Sequence, residues 1–582
     1  MRTSIEGERG AAPEARSGAD EPPGRQGRDA AAPEATAAGP ALLKGAAILG
    51  LAAVVSKLIG TLQKIPFQNM AGEAAFGVYN AVYPLYMLIL FMATAGFPLV
   101  VAKFVAEYAA EGRDDKAQHV LRASVMLLAA TGTGAFLLLY LGADRIASWI
   151  GAAQTAPAIR SISFALLIVP GLSGLRGYYQ GYHNMAPTAW SQVIEQTVRV
   201  AVMFLLLVLL LRWGYGYEYI AAGATFGSVV GAAAGLGYML WYGRSRAGRG
   251  RAGTGTCRRW PRTGWREDAR MIRRLAVYAL PVCLGSIAMP VLTLVDSFTI
   301  PRLLLSRGYD DHGAMYQFGL YNHGLPLVQL VTMIVSAVSA ALVPAMAEAL
   351  RREDRAAIRL RAAASIKWVA LIGLAASIGL AVLARPMNVM FYNTAEGTSA
   401  MVILAFTAFF SAVNIAGSSV LQGLGAVFAP ALYLLLAAGL KAGANAALVP
   451  RLGIDGAAWA AVAAYACAGG LALAHALRRS GAGPAAGGRA ASVMKPLLAA
   501  GFMTLALLAA MRGIPAAALA LLPALPARAC AAAVALGGVA VGACAYAAAL
   551  GALGVVSAAE LERLGPRAAR PLALLRRLRL LR

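Results

Sequence analysis

The chain has 582 residues, 59% of them hydrophobic and only 14% charged, with a formal net charge of +25. Soluble domains stand near 45–50% apolar and about 25% charged, and a soluble core this apolar would outrun the polar surface available to cover it. A soluble enzyme and a nucleic-acid-binding protein are excluded as main readings, and the composition is that of a polytopic membrane protein.

The 52 Lys+Arg against 27 Asp+Glu fall mostly in short segments between apolar runs. This is the positive-inside bias of membrane proteins, with attraction to anionic lipid heads. The five cysteines, Cys257, Cys283, Cys467, Cys530 and Cys544, form no C-x-x-C pair. They read as small apolar filler, so no metal site, disulfide framework or cofactor is expected.

Residues 1–40 are rich in Ala, Pro, Gly, Glu and Arg without an apolar run, which predicts a disordered N-terminus. No apolar segment follows a basic start within the first thirty residues, so no signal peptide is expected. Fourteen spans of about 20 residues, the length that crosses ~30 Å of hydrocarbon, follow. They lie near 41–63, 76–102, 120–142, 156–176, 186–211, 218–242, 271–298, 317–349, 357–384, 398–421, 427–449, 454–477, 493–512 and 528–554. The expected fold class is all-α, with these domains: an N-lobe of helices 1–6 over 41–242, a basic Gly/Arg/Pro linker over 243–270, a C-lobe of helices 7–12 over 271–478, helices 13–14 over 490–555 and a basic amphipathic tail over 556–582. Gly96, Pro98, Pro170, Pro281 and Pro290 are candidate helix breaks.

Orientation follows from the connections. With the N-terminus in the cytoplasm, twenty-five basic residues fall in cytoplasmic connections, eleven of them arginines between Arg244 and Arg274, against ten in the opposite ones. Both termini are therefore expected inside.

The halves repeat. Gly77-Val78-Tyr79-Asn80 with Pro84-Leu85 recurs as Gly319-Leu320-Tyr321-Asn322 with Pro326-Leu327, at an offset of 242. Gln180-Gly181 recurs as Gln422-Gly423, and Arg199 as Lys441, at the same offset. Six helices lie within one repeat, an even number, so the two copies share one orientation. This predicts two parallel six-helix lobes related by an axis along the membrane normal, with a central cleft.

The stretches SKLIGTLQKIPFQNMAGEAAFGVYNAVYPLY from Ser56, LRGYYQGYHNMAPTAWSQVIEQTVR from Leu175 and YNHGLPLVQL from Tyr321 resemble the bacterial polysaccharide-biosynthesis flippases, the stage V sporulation protein B-like and lipid II flippase-like members of the multidrug/oligosaccharidyl-lipid/polysaccharide exporter superfamily. The resemblance covers about 41–478, with the last two helices matched by hydropathy alone. It implies fourteen helices in two lobes and a polyprenyl-diphosphate-linked sugar as cargo. Such a cargo carries a diphosphate that cannot cross hydrocarbon unaided, so cations facing a cavity are the candidate site.

Lys57 and Lys64 lie seven residues apart, about two turns, on nearly one face of helix 1. In the resembled family, cations of this helix face the cavity and meet the diphosphate; interfacial snorkelling is the alternative. Arg302 closes helix 7 at the repeat position of Lys64. Asp296 is an intramembrane carboxylate, read as a cation or proton site or as one half of a structural ion pair. Asn322 and His323 open helix 8 where many relatives carry Asp-Arg, and His323 remains as a donor to phosphate. Glu195 and Arg199, four apart on helix 5, are expected to pair on one face.

No G-x-x-x-x-G-K-[ST] loop and no H-E-x-x-H occurs, which argues against ATP-driven pumping by this chain and against that metalloprotease class. An enzyme of the same pathway would need a carboxylate base and usually a large outer loop. The longest outer loop, near 299–316, offers only Asp310-Asp311, read as a solvated turn. The expectation is a non-enzymatic flippase in the bacterial cytoplasmic membrane. Its cargo is foremost lipid II or a related cell-envelope or spore-cortex precursor. Its partners are that lipid-linked oligosaccharide, membrane lipids and a coupling cation or proton, with no nucleic acid. The alternative is a cation-coupled multidrug exporter of the same superfamily.

Overall fold

Inside hydrocarbon no water is present to bond the backbone, so an apolar run must close its own N–H···O=C bonds, and a helix does this locally. A computed structural model describes residues 39–94, 96–247, 264–483, 489–521 and 526–556. Among these the regular elements are helices throughout. The first half holds α1 (Gly39–Leu62), α2 (Lys64–Thr94), α3 (Phe97–Ala110), α4 (Asp114–Leu141), α5 (Ala143–Ile150), α6 (Ala156–Ser163), α7 (Ala165–Gly181), α8 (Ala186–Arg212) and α9 (Tyr217–Ala247). The second holds α10 (Trp265–Ser306), α11 (Asp311–Tyr321), α12 (Gly324–Ala340), α13 (Leu342–Arg351), α14 (Arg355–Val382), α15 (Ala384–Tyr392), α16 (Thr398–Gly423), α17 (Phe428–Leu452) and α18 (Ile454–Ser480), followed by α19 (Arg489–Leu521) and α20 (Ala527–Ala552). Residues 1–38, 248–263 and 557–582, on which the expected N-terminal segment, most of the linker and the basic tail fall, lie outside the described residues.

Among the described residues, thirteen stretches are long and apolar enough to cross a membrane. The first, Ala47–Ala110, has 64 residues, enough for two crossings of about 20 residues each. A Cβ on Gly45 would stand 3.2 Å from Met185 Cγ and one on Gly60 3.4 Å from Gln196 Oε1, so α1 runs beside α8 in the same direction. Gly72 then breaks the helical path at φ 81, ψ 171, a conformation open essentially to glycine. About fourteen crossings result. The end of α9 and the start of α10 lie on one face of the bundle, here the linker face.

Only part of the expected punctuation is realised. Gly96, left-handed at φ 81, with Pro98 in the first turn, starts α3. Pro170 and Pro290 sit inside continuous α7 and α10. Asp310 is more than a solvated turn: its side chain accepts from Gly313 N and caps α11. Helix α10 has 42 residues, longer than the expected span. Its first turns carry Asp268, buried between His119 Nε2 (2.8 Å) and Arg122 Nη2 (3.1 Å) of α4.

Each half packs about one central helix. In the first, α7 meets α3, α4 and α9; in the second, α16 meets α12, α14 and α18. Helices α19 and α20 pack on each other and on α14 and α15, burying Met503, Leu507 and Leu383.

The halves meet where α2 crosses α11. A Cβ on Gly77 would stand 2.1 Å from Met315 O, and one on Gly319 would stand 2.3 Å from Glu73 O. The offset of 242 takes Gly77 to Gly319 and Glu73 to Met315. The contact is therefore reciprocal, and it lies on the repeat axis. Two glycines let the backbones touch, as small residues do wherever membrane helices approach closely. Gly77→Val and Gly319→Val should each destabilise the protein by about 1–3 kcal/mol through overpacking, read as the thermal midpoint in detergent. Gly134→Ala, at a position with nothing within 4 Å, should stay within about 0.5 kcal/mol. Equal midpoints for all three would mean the two helices separate freely here.

Candidate functional site

The repeat places a cation at one position of each half, and the two are neutralised differently. In the second half, Lys441 Nζ of α17 donates to Asp296 Oδ2 of α10 at 2.6 Å. Tyr321 OH donates to the same oxygen at 2.9 Å, and Asn445 Nδ2 reaches Asp296 Oδ1 at 3.3 Å. Lys441 and Asp296 are 3% and 6% exposed. The carboxylate and ammonium answer each other, and the phenol and amide fill further bonding sites, as a buried pair needs. Asp296 is thus paired with Lys441. Arg302, six residues on, is exposed and backs onto the Gly151 turn, apart from this cluster.

In the first half, Arg199 of α8 stands where Lys441 stands in the second. Its Nη2 donates to Tyr79 OH at 2.9 Å and its Nη1 to Tyr83 OH at 3.2 Å. The guanidinium also lies 5.0 Å from the Tyr83 ring centroid. Arg199 is 6% exposed and its Nε has no partner. Its side-chain hydrogen bonds all go to phenols. Glu195, expected to pair with it, turns instead to Arg176 of α7, Nη2 to Oε2 at 2.7 Å, with Ser191 Oγ 2.9 Å from the same nitrogen. A charge-assisted bond from a neighbouring helix wins over an i,i+4 pair worth only about 0.2–0.5 kcal/mol.

Lys64 opens α2, and the i→i−4 bonds Gln63 N to Ile59 O (3.1 Å) and Phe67 N to Gln63 O (3.2 Å) carry the helical path from α1 through it, up to the break at Gly72. The Lys64 Nζ donates to Asn80 Oδ1 at 3.1 Å. Lys64 and Arg199 are therefore held through adjacent residues of α2, Asn80 and Tyr79, both uncharged. Lys57 is exposed on α1 and is not gathered into this cluster.

The third cluster joins the halves. His323 is fully buried. Its Nε2 lies 2.9 Å from Glu73 Oε2 and its Nδ1 2.9 Å from Asn388 Oδ1. Asn388 Nδ2 donates to Glu396 O at 2.7 Å, which fixes the amide so that its oxygen faces the ring. Both ring nitrogens thus face side-chain oxygens. Tyr392 stacks on the ring with centroids 3.9 Å apart and donates to His323 O at 3.1 Å. Gln68 Nε2 donates to Glu73 Oε1 at 2.7 Å. Asn322 faces its own helix, donating to Phe318 O at 2.6 Å, as Asn80 donates to Phe76 O at 2.8 Å. This cluster sits beside the Gly77–Gly319 crossing, towards the face opposite the linker.

Sequence reading missed Glu73, Asn388 and Tyr79 as site residues and did not single out Lys441 beyond the repeat. The repeat carried a usable signal for two of these, since it aligns Tyr79 with Tyr321 and Arg199 with Lys441. Nothing in the sequence ties Glu73 to His323. Among the described residues, no group of three or more His, Cys, Asp or Glu could hold a metal ion.

Helical halves joined on a repeat axis, two added helices, and polar clusters held between and within the halves define a polytopic membrane protein of repeated helical lobes. The chain belongs to the family described as polysaccharide biosynthesis protein, whose family model matches residues 42–350. It is 31% identical to the uncharacterized membrane protein YabM of Bacillus subtilis (strain 168), over 74% of this chain and 79% of that one. It is 28% identical to the lipid II flippase MurJ of the same organism, over 73% and 80%, and 28% identical to its stage V sporulation protein B, over 72% and 80%. Among solved structures, an inward-facing multidrug resistance MATE family transporter superposes with a TM-score of 0.60 at 13% identity, covering 73% of this chain and 94% of that one. Lipid II flippase MurJ in an inward closed conformation superposes with a TM-score of 0.58 at 12% identity, covering 86% and 97%. At these identities the structural likeness speaks for the fold.

Removing Lys441 would strand Asp296 in the interior. Lys441→Ala should therefore destabilise the protein by about 3–5 kcal/mol, and the double change Lys441→Met with Asp296→Leu should recover most of that loss. Thermal unfolding of the purified proteins checks this. A double variant no better than the single would mean the pair holds more than its own charge.

Proposed function

We propose that the chain is a non-enzymatic flippase that moves a polyprenyl-diphosphate-linked sugar across the cytoplasmic membrane by alternating access. The single observation that carries this reading is the unequal charge of the two halves. The Lys441 charge is answered by Asp296, whereas Arg199 and Lys64 are bonded to neutral groups alone. A cation without a counter-ion is costly where it is buried, as Arg199 is and Lys64 is in part, and an entering diphosphate supplies one. The names of two relatives, a lipid II flippase and a sporulation protein, point to lipid II or a related envelope precursor as cargo. The linker face, rich in arginine, is the cytoplasmic one on this reading, with both termini inside. The glycine crossing and the Glu73–His323 bond then close the outer side, and the polyprenyl tail stays in lipid beside α19 and α20.

Cation-coupled multidrug export is the second reading, favoured by the fold shared with the MATE structure. The carboxylate available for a coupling cation in the second half, Asp296, already holds Lys441 at 2.6 Å, which favours the first reading.

Cells depleted of their own lipid II flippase and expressing this chain test the proposal. Survival, and lipid II newly exposed outside, should be restored by the wild type. Lys64→Ala and Arg199→Met, at matched expression, should lower exposure by about tenfold or more, the loss of one charge-assisted contact of 1.5–3 kcal/mol. Lys57→Ala should retain most of it. Rescue by every variant would remove the cation site while keeping the function. No rescue by an inserted wild-type protein would sink lipid II as cargo.

The outer closure has its own test. Glu73→Leu leaves His323 without its carboxylate, so the outward-open population should rise. Labelling of an Asn80→Cys protein by an impermeant maleimide from outside should then increase several-fold. Unchanged labelling would show that the glycine crossing alone sets the closure.

A further inference from the structure

The second half contains a cavity of about 550 Å³ between α10, α12, α16 and α17. Its polar lining is Ser336, Ser339, Asn414, Ser418, Ser419 and Gln422, and every one of these side chains is uncharged. Ser339 is 1% exposed and Asn414 4% exposed. Asn414 Oδ1, Ser339 Oγ and Ser418 Oγ are buried and have no hydrogen-bond partner. Leaving such groups unpaired is costly. Six uncharged polar side chains on one cavity are the pattern of a binding site for a neutral, hydrogen-bonding ligand. Gln422 ends α16 and Val427 precedes α17, so the cavity lies towards the linker face.

The repeat explains why the cavity exists in this half. The offset of 242 takes Leu172 to Asn414, Arg176 to Ser418 and Glu195 to Ala437. In the first half, Arg176 and Glu195 form a 2.7 Å ion pair and Leu172 is fully buried in a hydrophobic cluster. In the second half the long ionic side chains become a hydroxyl and a methyl, and the buried leucine becomes an amide. Volume is lost, charge is lost, and uncharged hydrogen-bonding capacity is gained.

We propose that this cavity binds the uncharged, hydroxyl- and amide-bearing sugar portion of the cargo, while the diphosphate is met by the cations of the other half. The inference rests on the flippase reading above. The amides of Asn414 and Gln422 and the hydroxyls of Ser336 and Ser419 in the lining can donate and accept. An N-acetylated sugar supplies both kinds of group. A diphosphate finds no cation here. Met289 and Leu434 complete the wall and give the apolar faces of a sugar ring a surface to rest on.

The test uses the full-length protein in lipid nanodiscs with two probes, lipid II and sugar-free undecaprenyl diphosphate, and reads both dissociation constants. The wild type should bind lipid II about tenfold or more tightly than undecaprenyl diphosphate, a preference of about 1.4 kcal/mol. Asn414→Leu, which restores the counterpart residue, should abolish that preference and leave undecaprenyl diphosphate binding unchanged. Ser418→Ala, which removes one hydroxyl without adding volume, should lower the preference about threefold, and it keeps the test informative if the leucine variant folds poorly. A preference unchanged in both variants overturns the sugar site and leaves the flippase reading standing. A wild type that binds neither lipid overturns both.

Discussion

The structure depends on the backbone contact between α2 and α11. Gly77 meets Met315 and Gly319 meets Glu73 at distances no side chain would permit, and the two contacts are images of each other under the repeat. A crossing on the axis fixes the relation of the halves without tying either to a side-chain lock that could open only one way. The neighbouring Glu73–His323 bond adds direction. It joins residues 250 apart in sequence and lies on one side of the crossing alone. On the proposed reading, a bare backbone contact next to a polar bond is an outer closure that parts when the two halves rock.

Duplicated halves begin with the same residues at the same places, so their differences are informative. Tyr79 and Tyr321, and Arg199 and Lys441, still correspond. What changed is the counter-ion. Asp296 of α10 neutralises Lys441, whereas Arg199 is left to phenols. The reverse holds nearer the linker face, where the first half keeps the Arg176–Glu195 pair and the second has an uncharged cavity. Each half is thus polar at two depths, and at each depth only one of the two carries a balanced pair. Symmetry supplies the scaffold, and its local breaking separates a place suited to an anion from one suited to uncharged groups.

Hydropathy made the crossings legible because the cost of unpaired backbone in hydrocarbon overrides every local preference. The repeat was legible because Tyr-Asn and Gln-Gly pairs stand out against alanine and leucine. Side-chain partners were not. Glu195 and Arg199 satisfy the helical spacing for a pair, but that spacing constrains little beside a guanidinium arriving from α7. Lys57 and Lys64 follow one helical path, but spacing does not say which of them meets a neighbour: Lys57 is exposed, and Lys64 bonds Asn80. His323 was singled out for its proton, but its partners Glu73 and Asn388 come from α2 and α15. No local pattern announces a contact between helices so far apart along the chain.

The cations of the first half also bear on how a cargo could drive a conformational change. A ligand shifts an equilibrium only by its difference in affinity for the two states. A site already neutralised, such as Lys441 with Asp296, gains little from an anion in any state. Arg199 and Lys64 gain in proportion to how far the anion can approach, and that differs between a closed and an opened arrangement of α2. Both are bonded to adjacent residues of α2, three and two positions beyond the Gly77 crossing. A diphosphate drawing on them therefore acts, on the proposed reading, on the helix that carries both the glycine crossing and Glu73. On the proposed reading, the electrostatic gain at the site and the loosening of the outer closure are exerted through one rigid element, and no longer chain of contacts is needed to connect them.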